Sequence, residues 1–205
     1  MLDIVNTSRS PGVRRMEARA GSNSTFKESV EDLQIYAGIT VSAKDIERVS
    51  EPVGQEIEMW SQNERQILRE RERPAFRRRT LPIMYISYDG TGIPMTTVEC
   101  TGRKGKQGDG SAKTREAKLG CVFTQTSLDQ DGFPIRDPDS TTFVGAIEDA
   151  ETFGWRIYDE AIRRGMLHSE KTVVIADGAP WIWNLADLHF PDAVQIIDLY
   201  HVREH

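Results

Sequence analysis

The run KTVVIADGAP, Lys171 to Pro180, constrains this chain more than any other stretch. Its Val173-Val174-Ile175 centre is apolar without alternation, which suits a strand buried on both faces of an α/β sheet. The strand ends in Asp177, and a glycine follows. An earlier run, YISYDGTGIP from Tyr85 to Pro94, has the same ending: apolar residues, then Asp89, then a glycine. Asp-Gly is a common turn dipeptide. Each aspartate is therefore either a turn former or one arm of a site at the carboxyl end of a strand.

The elements around these runs predict a β-β-β-α-β-α-β order. LPIMYISYD reads as the first strand, by its β-branched and aromatic content. MTTVECTG, from Met95, reads as the second, and LGCVFTQTSL, Leu119 to Leu128, as the third. Three strands in succession suggest an antiparallel meander. TGRKGKQGDG is too rich in glycine for regular structure and reads as a loop. Phe143, Ile147, Ala150, Ile157, Ala161 and Ile162 fit a helical stripe that Gly165 ends. WIWNLADLHF reads as a short helix, and AVQIIDLYH as the fifth strand.

Before the sheet, residues 1–24 are polar and aperiodic and read as a loose arm. Residues 25–62 look helical. Phe26, Val30, Leu33 and Ala37 share one helix face, Thr25 with Glu28 has capping-box spacing, and Gly38 is a stop signal. A second helix starts at Ser42, and Pro52 ends or restarts it. The outline is that of a helix-turn-helix, or of a plain helical hairpin. Residues 63–80 form a basic connector, and residues 81–205 the α/β core.

The 205 residues carry a net charge of -6, and their apolar fraction of 38% is enough for a real core. No run of about 18 apolar residues is present, which argues against a membrane span. The N-terminal stretch lacks a secretory apolar core. Cys100 and Cys121 form no CxxC pair, so a reducing, cytoplasmic setting is expected. The charge is uneven: RQILRERERPAFRRRT, Arg65 to Thr80, is densely basic, and the region from Glu148 onward is richer in acids. A basic collar beside an acidic pocket suits an enzyme that holds phosphates and cations. A solvated, charge-paired linker is the plainer reading of the collar.

If the first and fourth strands are neighbours, Asp89 and Asp177 meet. Two carboxylates a few ångströms apart repel unless a proton or cation lies between them. Mg²⁺ takes one or two carboxylates and leaves positions for water and phosphate. Mn²⁺ is the alternative ion.

The strings YISYDGTGIPM, TREAKLGCVFTQT and VVIADGAPWIWNLADLHFPDAVQIIDLYHVREH, with SPGVRRMEARAGSNSTFKESVEDLQIYAGI before them, resemble a bacterial insertion-sequence transposase. The resemblance is to the DDE type, in the ISKra group, and runs from about Pro11 to the end. It implies an RNase H-like core: a mixed sheet of a three-strand antiparallel meander plus parallel strands, flanked by helices. It also implies metal-dependent DNA cleavage and strand transfer, with Asp89 and Asp177 as catalytic metal ligands. Asp198 and His201 match a Cys-or-Asp, two residues, His pattern of Mutator-like transposases and are auxiliary candidates. The plainer alternative is that Asp198 caps a helix. The family's third acid, a glutamate well beyond the second aspartate, has no counterpart here, and Glu204 is not assigned to that role. The expectation is a fragment of a transposase, truncated before that acid, that binds DNA without efficient strand transfer.

The partners so implied are double-stranded DNA, both the element's terminal repeats and its target, and further copies of the chain in a homo-oligomeric synaptic complex. Arg77, Arg78, Arg79, Lys104, Lys106, Lys113 and Arg115 are the candidate DNA contacts, or else plain solvated charges. Trp181 and Trp183 either stack on an unpaired base or pack in the core. Two rival functions remain: a catalytically inactive DNA-binding regulator of transposition, and an RNase H-type nuclease that cuts RNA–DNA hybrids.

Overall fold

The structure, a computed structural model, describes residues 9–70, 81–105 and 107–198. The chain divides into two compact units, Met1–Ile67 and Leu68–His205.

In the first unit, α1 spans Pro11–Gly21, α2 Phe26–Ala37 and α3 Ala43–Glu70, its last turn passing into the second unit. The α1 helix corrects the loose-arm expectation. Ser10 caps it by accepting the Val13 N–H, and Pro11 occupies the first turn, where its missing donor costs nothing. The α2 helix starts and stops where its signals fall: Thr25 and Glu28 form the reciprocal capping box, and Gly38 closes it with φ 63°. Ser42 and Asp45 bond reciprocally at the start of α3. That helix does not end at Pro52. It runs on to Glu70, so residues 63–70 are helix rather than connector. The rest of the connector, with Arg77, Arg78 and Arg79, lies outside the described residues. Within the unit, buried Glu17 pairs with Arg9 at 3.0 Å. Burial pushes the Glu17 carboxyl up, and the Arg9 guanidinium opposes this.

The second unit is a mixed α/β layer. Its main sheet contains β1 (Leu81–Pro94), β2 (Thr114–Thr124), β5 (Thr142–Ala146), β6 (Ser169–Ala176) and β7 (Val194–Ile197). Strands β3 (Ser127–Leu128) and β4 (Pro134–Ile135) form a separate small hairpin. The main sheet is ordered β5-β2-β1-β6-β7. The β1–β2 and β2–β5 pairs are antiparallel, and β1–β6 and β6–β7 are parallel.

The meander thus exists, but with different members. MTTVECTG is not a strand. It holds the one-turn helix α4, Thr97–Cys100, because Thr96 and Glu99 form a capping box there. Phe143 belongs to β5 rather than to a helical stripe. Helix α5 begins only at Ala150, behind the Asp149 cap, and ends at Arg163. Helix α6 spans Pro180–His189.

Alternation places Met84, Ile86 and Tyr88 of β1 in one core with Phe153 and Ile157 of α5 and Ile182 and Leu185 of α6. Both helices therefore cover the same face of the sheet. They approach closely at Gly154, where an added Cβ would lie 2.6 Å from His189 Nε2 and 2.8 Å from Leu185 Cδ2.

His189 itself is 6% exposed, stands edge-on to Trp155 at 4.7 Å, and leaves Nε2 without a partner among the described residues. Burial holds its pKa below 6.5. Asp159 and Glu151 pull it up, and Arg69, which forks onto Asp159, pushes it down. A depressed histidine pKa means that the unfolded chain takes the proton first. The stability of this unit should be intact above pH 6.5 and fall as the pH drops from there through the folded value. Urea melts at pH 7 and pH 5 check this, and His189→Gln should flatten the difference.

Candidate functional site at the carboxyl ends of the central strands

The site begins with the centre strand. β1 pairs with β2 along its whole length to Pro94, but its pairing with β6 stops at Ser87↔Ile175. Asp89 is therefore no turn residue. It lies in mid-strand, opposite Leu119 of β2, just past the point where β1 parts from β6. That is where an open α/β sheet collects chemistry, at the carboxyl ends of parallel strands.

The register does the rest. Ser87 faces Ile175, so two residues further on Asp89 stands level with Asp177. Ala176 faces Ile197, so one residue further on Asp177 stands level with Asp198. The Asp198 N–H donates to the Ala176 carbonyl at 2.8 Å, which holds that last step. Residues level in a parallel ladder share a face, and neighbouring strands lie about 4.8 Å apart. Three aspartates from β1, β6 and β7 thus end their strands in one row.

Local bonds orient the first two. Asp89 Oδ1 accepts from the Gly90 N–H at 2.6 Å, and Asp177 Oδ1 accepts from the Ala179 N–H at 2.9 Å. The second oxygen of each has no protein partner among the described residues. Tyr88 braces the pair from below. Its hydroxyl donates to the Ile182 carbonyl at 2.9 Å, which ties the residue before Asp89 to the first turn of α6, just after Asp177. Burial pushes the Tyr88 phenol far up, so it stays a donor at any working pH.

Two carboxylates with free oxygens fit a hard divalent cation that keeps water or phosphate in its other positions. They are not a ready-made cage. Among the described residues, no group of three His, Cys, Asp or Glu side chains is arranged to hold a metal ion. Cys100 and Cys121 are free thiols, and His201 lies outside the described residues, so no zinc site is built from them here.

Of the basic candidates, Lys104 and Lys113 are exposed in the loop before β2, where Lys104 bridges to Ser111. Arg115 donates to the Ile147 carbonyl at 3.2 Å, and Lys106 lies outside the described residues. Trp181 and Trp183 pack against the core rather than standing free.

One residue escaped the sequence reading. Lys118, paired with Gly90 beside Asp89, is 4% exposed, while the next residue, Leu119, is 56% exposed. Its ammonium donates to Glu116 at 2.5 Å and to the Glu148 carbonyl at 2.9 Å, and it lies 5.4 Å from the Trp181 ring centre. Gly90 leaves the room for this, since a Cβ there would fall 2.7 Å from Glu116 Oε1. The signal was in the alternation: in KLGCVF the lysine shares the parity of buried Gly120 and Val122. A cavity of about 310 Å³ opens beside Lys171, His189 and Asp192. It lies at the amino ends of β6 and β7, away from the aspartates.

No family model matches the chain, and no curated protein matches it significantly.

Proposed function

We propose that the second unit is an RNase H-like core for metal-dependent phosphoryl transfer on DNA, and that the chain is a transposase, or part of one, of the bacterial insertion-sequence type. The observation that carries this reading is the register that sets Asp89 level with Asp177. The sheet order, an antiparallel β5-β2-β1 meander continued by parallel β6 and β7 through helical crossovers, supports it. So does the resemblance of the strings around both aspartates.

In this reading Asp89 and Asp177 hold Mg²⁺ or Mn²⁺ through their free oxygens. The bound metal lowers the pKa of an attacking water or 3′-hydroxyl and neutralises the leaving oxygen. The chain's own part is to keep the carboxylates level and oriented, through the Asp177–Ala179 bond and the Tyr88 tie to α6. Asp198 extends the acidic row toward β7, where it helps place the phosphate-bearing strand. Exposed Lys104 and Lys113 and the Arg-rich connector supply phosphate contacts, and copies of the chain assemble on the paired element ends.

The test is binding and nicking of duplex DNA that carries the terminal repeats, in Mg²⁺ and in Mn²⁺. Cation-dependent nicking at the repeat ends is expected from an intact catalytic set. Binding without nicking would make the protein a DNA-binding regulator. Cutting of an RNA–DNA hybrid without regard to repeats would make it an RNase H-type nuclease.

A further inference from the structure

Helix α3 has 28 residues, about 42 Å, yet its one buried residue is Ile46 near its start. Beyond that point Val53, Ile57 and Trp60 line one face at spacings of four and three, the period of a helix seam. Ile57 is 60% exposed and Trp60 65% exposed. The same stretch carries Pro52, which lacks a backbone donor, and Gly54, a poor helix former. A helix so interrupted draws its stability from packing rather than from propensity.

The charge along α3 says what covers it. From Ala43 to Glu58 the helix carries Asp45, Glu47, Glu51, Glu56 and Glu58 against Lys44 and Arg48, a net of -3. From Met59 to Glu70 the two acids, Glu64 and Glu70, are balanced by Arg65 and Arg69. The sequence beyond, Arg71 to Arg79, adds five arginines and one glutamate. A parallel copy would set acid beside acid over the whole first half. An antiparallel copy centred near Trp60 sets the acidic half against the basic end and stacks the Ile57 and Trp60 faces on each other. A nucleic-acid partner would meet the acidic half and be repelled.

We propose that α3 pairs with α3 of a second copy of this chain, antiparallel, through the Val53–Ile57–Trp60 face. The proposal does not depend on the transposase reading.

The test is sedimentation equilibrium of the full chain from about 1 to 100 µM, in low and high salt, for the unaltered protein and for the double variant Ile57→Glu, Trp60→Glu. The expected result is a dimer for the unaltered chain, weakened by salt, and a monomer for the variant with its sheet-unit melting curve unchanged. Mixed chains carrying Glu51→Cys and Arg65→Cys should cross-link to each other at least about tenfold faster than either does to itself. A monomer throughout, a dimer that survives the double variant, or cross-linking that prefers like with like would overturn the proposal.

Discussion

Asp177→Asn weakens Mn²⁺ binding by at least tenfold or so, and Asp89→Asn does the same, while the melting curve of each variant stays close to that of the parent. Asparagine keeps an oxygen where each aspartate already accepts, from Ala179 N–H and from Gly90 N–H, so neither turn is lost. What disappears is a negative charge and a free ligand oxygen. Groups that only orient a metal ligand are worth about 10–100-fold in affinity, so a direct ligand is worth no less. The double variant is the sharper experiment. If both carboxylates hold one ion, the second substitution adds little to the first, because the site is already gone. Two independent losses that simply add, or no loss from either, would show that the level register brings the aspartates together without making a shared site. Mn²⁺ titration by electron paramagnetic resonance gives the affinities directly. Nicking of repeat DNA should fall in step with them.

Phe153→Ala is expected to cost the second unit about 3–5 kcal/mol, the range for a fully buried phenylalanine. Its ring is 0% exposed, sits 6.3 Å from the Tyr88 ring, and overlies Gly120, where a Cβ would come within 3.3 Å of Cζ. The ring therefore fills the space between α5 and the two central strands, and alanine leaves a hole there. Strands do not close up to refill it, because their spacing is set by the ladder. Urea denaturation followed by tryptophan fluorescence measures the loss. A cost under about 1 kcal/mol would mean that α5 does not rest on the sheet as described. Tyr88 also braces the aspartates, so the same substitution should loosen cation binding as well as the fold.

Local signals were legible where they are made of neighbours. Thr25 with Glu28 marks the start of α2 and Gly38 its end, because both motifs close hydrogen bonds within a few residues. The apolar run of β6 and the helix after it were equally plain. The misread segments failed for related reasons. Ser10-Pro11 is a cap as good as Thr25, but the apolar periodicity behind it is weak, and α1 was missed. Thr96 and Glu99 cap a turn within a sequence whose threonines and valine favour a strand. Phe143 fell into a helical stripe because an alternating strand and a helix both allow a four-residue repeat over so short a span. Pro52 marks a helix end by its chemistry, yet α3 runs through it.

By itself the sequence determined the caps, the strand-forming runs and the presence of Asp89 and Asp177 after two of those runs. Each rests on interactions among residues close along the chain. Only the tertiary structure decided that β1 and β6 are parallel neighbours, that Ser87 meets Ile175, and that Asp89, Asp177 and Asp198 therefore stand in one row. It also decided that Lys118 turns inward while Leu119 faces out. Register is a property of pairs far apart in sequence. A slip of one residue would keep every local preference and send each side chain to the other face of the sheet.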